Sequence, residues 1–228
     1  MTKPHFNTSL ALNEQQYIPI GHEKRAIFLH HTVSSNARGS LEWWRKTPQR
    51  IGTAFVIDRD GSIFQAFPEE CWASHLGIHE DKDKYWEQHS IGIELVAMGP
   101  IMKVDKEFRF FPVWPNKTIS KVVDPAEVVK LEKPFRTFGY FHTYSELQLK
   151  ALGELLNYLI EKHKIVLQDS PELFWEYNPK VIFSKLPGIW SHTTVRKDKS
   201  DIWPDPNLIK VIEGLWPKKS LSPRKLKK

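Results

Sequence analysis

Two histidines and an aspartate, far apart in the chain, make a set that could hold a divalent metal. His30 lies in Ile27-Phe28-Leu29-His30-His31-Thr32, and His192 precedes Asp201 in Ser191-His192-Thr193-Thr194-Val195-Arg196-Lys197-Asp198-Lys199-Ser200-Asp201. Two neutral imidazoles and one carboxylate suit Zn²⁺, and three protein ligands leave a fourth position for water, the pattern of a catalytic rather than a structural site. Between the two segments lies Ser90-Ile91-Gly92-Ile93-Glu94-Leu95, an apolar strand pattern broken by one carboxylate. Glu94 is then a candidate base and Lys199 a candidate cation beside that water. Such a set would perform hydrolysis: zinc lowers the pKa of water to ~7, and a nearby carboxylate can take its proton.

These residues need strands to position them. Ala26 to His30 is a short apolar run that fits a buried strand. Side chains alternate across a strand, so His30 and His31 face opposite ways and do not share one metal. Thr53 to Ile57 and Ser62 to Phe67 flank Asp58-Arg59-Asp60-Gly61, whose Asp-Gly pair predicts a hairpin. In Ser90 to Val96, Ile91, Ile93 and Leu95 share one face while Gly92, Glu94 and Val96 share the other, with Gly92 leaving room beside the carboxylate. Ile189-Trp190-Ser191 delivers His192 from a strand end.

Helices fill the intervals. Gly39 to Lys46 reads as a short helix ended before Pro48. Ser145 and Gln148 form a capping-box pattern ahead of an apolar stripe of Leu152, Leu155, Leu156, Leu159 and Ile160 that runs to about His163. A final amphipathic segment carries Leu208, Val211, Ile212 and Leu215. Residues 100–140 read as an inserted hairpin and loop, and 166–188 as loop and short helix. The expected fold is α/β: a single domain with a central mixed β-sheet flanked by helices. Residues 1–23 form an irregular lead-in, 24–217 the catalytic domain, and 218–228 a basic tail.

Composition narrows the function classes. The formal charge of +6 is carried by Lys218, Lys219, Arg224, Lys225, Lys227 and Lys228, which have no acid among them. The rest of the chain is close to neutral and is not a broad nucleic-acid-binding surface. The single cysteine, Cys71, excludes an internal disulfide and a cysteine-rich zinc module. No apolar run approaches the ~20 residues of a bilayer span. The N-terminus lacks the apolar stretch of a secretory signal. Nine Trp and 13 Phe supply flat apolar surface for a core or for sugar rings.

Taken together and in order, these segments resemble the zinc-dependent N-acetylmuramoyl-L-alanine amidases, the fold family shared by phage amidases, bacterial amidases and peptidoglycan recognition proteins. Ile27 to Thr32 looks like the family's first-ligand strand, in which the first histidine binds zinc. Thr53 to Ile63 is similar to its hairpin, and Ser74-His75-Leu76-Gly77 to the segment lining its substrate groove. Ser90 to Leu95 matches the strand bearing the catalytic glutamate. His192 to Asp201 resembles the closing motif with second histidine, catalytic lysine and third ligand. The resemblance implies Zn²⁺ on His30, His192 and Asp201, catalysis by Glu94 and Lys199, and substrate contacts at His75 and Thr53. It implies hydrolysis of the amide between N-acetylmuramic acid and L-alanine, by a monomer whose partner is peptidoglycan.

Several positions depart from the family pattern. The closing motif is about one residue short, which admits Asp198 and Asp205 beside Asp201; the Lys-x-Asp spacing of Lys199-Ser200-Asp201 selects Asp201. Thr53 stands where some phage members carry a catalytic tyrosine. Glu87 stands where an asparagine is often found. The absent secretory signal and the basic tail look similar to a lytic endolysin that reaches the wall by holin-type release. A cytoplasmic muropeptide-recycling amidase and a non-catalytic recognition module are the alternatives.

Overall fold

The computed structural model describes residues 2–110 and 121–216; the basic tail at 218–228 lies outside them. In chain order the first elements are β1 (Ala26–His31), α1 (Ala37–Lys46), β2 (Phe55–Ile57), β3 (Ile63–Gln65), α2 (Tyr85–His89) and β4 (Ser90–Leu95). Then come β5 (Met102–Val104), β6 (Glu107–Phe110), β7 (Lys121–Val123), β8 (Val128–Phe135) and β9 (Phe138–His142). The last third holds α3 (Glu146–His163), α4 (Lys180–Phe183), β10 (Gly188–Ser191), α5 (His192–Val195) and α6 (Pro206–Glu213).

The central sheet has the order β10-β1-β4-β2-β3. Its first four strands are parallel and β3 is the antiparallel edge formed by the Asp58–Gly61 hairpin. Every residue of β1 is buried, as expected for a parallel strand covered on both faces. Ile27 and Leu29 of β1 join Ile91, Ile93 and Leu95 of β4 in the main core, against Leu149, Leu152, Leu155, Leu156 and Leu159 of α3. Across the sheet, Ala26 and Phe28 pack with Leu76, Trp86, Val181, Trp190 and Val195. The mixed sheet flanked by helices is the architecture expected from sequence.

Three local readings change. Ser145 caps α3 by accepting the Gln148 N–H at 3.1 Å, but the Gln148 side chain does not reach back to complete a box. Its amide nitrogen donates to Ile57 O at 2.8 Å and Val96 O at 3.1 Å, pinning the helix to two strand ends. Helix α1 starts at Ala37 because Asn36 supplies the cap, accepting from Gly39 N–H. The 100–140 segment holds a three-stranded sheet, β5-β6-β7, and a separate β8-β9 ribbon rather than one hairpin and loop. Much of β5 to β8 is exposed, so no buried face imposes the alternation by which strands are recognised. Among the described residues no helix is long and apolar enough to cross a membrane.

Candidate metal centre and active site

His30 is near the end of β1 and His192 opens α5 directly after β10. Because β1 and β10 are parallel neighbours, with Leu29 opposite Ser191, two histidines far apart in sequence arrive side by side. Their rings meet edge to face at 4.6 Å between centroids, and their Nδ1 atoms are 3.0 Å apart. Asp201 completes the group: its Oδ2 is 3.0 Å from His192 Nδ1 and 3.4 Å from His30 Nδ1.

The outer nitrogens determine what those inner atoms can do. His192 Nε2 lies 2.9 Å from the carbonyl of Leu76, which only accepts, so the proton sits on Nε2 and Nδ1 presents a lone pair. His30 is fixed by a longer chain. Ser90 Oγ donates to Trp86 O, so it accepts from His75 Nε2 at 3.0 Å; His75 Nδ1 must then accept from His30 Nε2 at 2.9 Å. Two lone pairs and a carboxylate oxygen thus converge at 3.0–3.4 Å. They repel one another unless a cation lies among them. The spacing also matches the edge of a tetrahedron with metal–ligand bonds of ~2.0–2.1 Å, about 3.3 Å. The donor set fits Zn²⁺.

Burial supports the ligand state. It drops the His30 imidazole to about 4, so the ring is neutral at physiological pH. The two other aspartates are engaged elsewhere. Asp198 pairs with Arg196, and Asp205 caps α6 by accepting from Asn207 and Leu208 N–H at 2.8 and 3.1 Å.

Glu94 shares the ligand face, paired in register with His30. Its Oε2 is sealed from solvent and has no hydrogen-bond partner among the described residues. Burial first, and then the negative charge of Asp201, push its carboxyl well above the usual carboxylate range, while Lys199 pulls it back. A buried carboxylate oxygen without a partner is costly, and such groups concentrate at functional sites. Glu94 borders a 660 Å³ cavity whose wall includes Ser34, Asn36, Trp43, Trp44 and Met98. Trp43 is 56% exposed. Lys199 is half-buried, and its charge also acts on His30 and His31.

His31 points into the opposite face, with Nδ1 3.2 Å from the hydroxyl of Tyr144. Its ring lies against Gly99, whose φ of +73° favours glycine. The two expected substrate contacts sit differently. His75 has a 5% exposed side chain, and its ring nitrogens meet His30 Nε2 and Ser90 Oγ. Thr53 is buried and spends its hydroxyl on Phe55 O at 2.9 Å. The room beside Gly92 is also taken: a Cβ there would meet Thr53 Cγ2 at 2.7 Å and His75 Nδ1 at 3.0 Å. Glycine at 92 lets these two side chains close on the strand. Sequence reading missed Ser90 and the Leu76 carbonyl, since neither a lone serine nor a backbone atom carries a sequence signal.

A second acidic group, Glu69, Glu70 and His163, could also hold a metal. Lys162 Nζ already stands 2.5 and 2.7 Å from the two carboxylates, so a cation is built in.

A family model described as N-acetylmuramoyl-L-alanine amidase matches residues 21–206. No curated protein sequence matches the chain. Among solved structures, PlyL superposes with a TM-score of 0.52 at 11% identity, covering 92% of this chain and 98% of that one. The N-acetylmuramyl-L-alanine amidase AmiD from E. coli, in complex with a muropeptide substrate, gives 0.51 at 18% identity, covering 89% and 62%. At these identities the likeness is one of fold.

Proposed function

This chain belongs to the N-acetylmuramoyl-L-alanine amidase family, and from that premise we propose that it hydrolyses the amide between N-acetylmuramic acid and the L-alanine of the stem peptide, using Zn²⁺ held by His30, His192 and Asp201. The observation that carries this reading is the convergence of three ligand atoms at 3.0–3.4 Å on the same sheet face as an unpartnered Glu94 oxygen. Zinc, when bound, would supply Lewis acidity toward the carbonyl and a water of pKa ~7.

The chain's own residues do the rest. Glu94 takes the proton of the attacking water and passes it to the departing alanine nitrogen. Its raised basicity, set by burial and by Asp201, suits both halves of that transfer. Lys199 offsets the negative charge that develops on the carbonyl oxygen. His30 and His192 are prevented from rotating by His75 and the Leu76 carbonyl. The cavity beside Glu94 offers the Trp43 face to a sugar ring and the polar Ser34–Asn36 segment to its substituents. The complete ligand set favours catalysis over a recognition module.

We further read the role as lytic, on the wall itself after holin-type release, with the basic 218–228 segment attracted to anionic envelope groups. Digestion of purified peptidoglycan, with mass analysis of the products, tests the reaction. Free stem peptides beginning at L-alanine, with intact glycan strands, are expected; cleavage within the glycan or within the peptide would overturn the assignment. Lys199→Ala is expected to keep the metal and to lower turnover by ~10²-fold. Unchanged steady-state rates on a soluble muropeptide would remove Lys199 from the mechanism.

A further inference from the structure

The segment His75–Gly77 supplies both outer hydrogen bonds that orient the imidazole ligands: the His75 ring acts on His30 and the Leu76 carbonyl on His192. Three consecutive N–H groups of that segment turn to one side chain, the carboxylate of Glu87 on α2. Oε2 accepts from His75 at 2.7 Å and from Leu76 at 3.3 Å; Oε1 accepts from Leu76 and Gly77, both at 3.2 Å. Glu87 is only 6% exposed. The closest cationic candidate, His75 Nε2, is 3.8 Å away and gives its proton to Ser90. On the other side, Arg196 Nη1 donates to Leu76 O at 3.3 Å and Gly77 O at 3.1 Å.

Burial raises the Glu87 carboxyl and the three backbone N–H groups pull it back, so the buried carboxylate depends on that contact. Among the described residues Glu87 is the acceptor for all three N–H groups. In glutamine, which has the length of Glu87, the NH₂ would face N–H donors at one of the two positions. We propose that Glu87 is the positioning residue for both imidazole ligands, holding residues 75–77 in the one register that keeps His30 and His192 protonated on Nε2 with Nδ1 free. The proposal rests on the metal reading above, and it adds one residue through which a single substitution reaches two ligands at once.

The test uses the full chain and compares Glu87→Gln with Lys24→Met. Lys24 is buried to 1% exposure and braces the same layer, donating to Cys71 O at 3.0 Å and Gln88 O at 2.5 Å, without bonding residues 75–77. Zinc affinity is read by competition with a chromophoric chelator. Histidine tautomers are read by ¹⁵N NMR in metal-free protein, and stability by thermal unfolding. E87Q is expected to lose ~10–100-fold in zinc affinity, the usual effect of disturbing an outer-shell partner, and to show mixed tautomers at His30 and His192. K24M is expected to lower Tm while leaving both quantities unchanged. Unchanged affinity and tautomers in E87Q would overturn the proposal, as would equal losses in both variants for equal falls in Tm. Should E87Q fold too poorly to measure, Glu87→Asp retracts the carboxylate while keeping its charge and reports the same quantities. A wild-type protein that binds no zinc would refute the metal reading alone, since the tautomers of the metal-free chain still decide the role of Glu87.

Discussion

Glu94→Gln is expected to lower turnover by ~10²–10⁴-fold, the usual contribution of a positioned general base, with about one zinc per chain retained. The substitution preserves volume and shape. It removes the proton acceptor while leaving the His30, His192 and Asp201 side chains untouched. Stability should not fall with activity, because Glu94 Oε2 makes no hydrogen bond that could be lost, and a neutral amide is less costly to bury than a carboxylate. Single-turnover kinetics on a soluble muropeptide, metal analysis and thermal unfolding separate these effects. Near-normal turnover would transfer the base role to another group; loss of the metal would show instead that Glu94 supports the ligand set.

The second large effect is expected at His30. His30→Ala should release the metal and abolish activity, since two remaining ligands form an incomplete site. His31→Ala, one residue along, should keep metal and much of the activity while lowering Tm. Its ring is buried on the opposite face beside Tyr144 and Gly99, and deletion there leaves a cavity. Elemental analysis of the two purified variants reads the difference directly. Equal metal loss in both would mean that the ligand face of β1 is not the one described.

Much of this molecule was legible from its residues. Ligand type is chemistry that a sequence carries openly: His30, His192 and Asp201 can bind a divalent ion wherever they fall, and Glu94 stands out because it interrupts an apolar alternation. The period of two in a strand is enough by itself to separate His30 from His31 and Glu94 from Ile93. The Asp58–Gly61 turn and the α3 stripe are equally local, and they appear where local rules put them.

What the tertiary structure decided is everything that depends on pairs distant in the chain. The parallel pairing of β1 with β10 brings Nδ1 to Nδ1, but the choice of Nδ1 over Nε2 is made by Leu76, His75 and Ser90, which belong to other segments. No spacing rule links a ligand to the carbonyl that orients it. The same reason gave His75 and Thr53 their packing and hydrogen-bonding partners and filled the space beside Gly92. The exposed strands of 100–140 escaped because a sheet with little buried face leaves almost no hydrophobic period to read. Residue chemistry and short-range periodicity are properties of the sequence itself, whereas a proton's place on an imidazole is settled only by the neighbours that the fold brings to it.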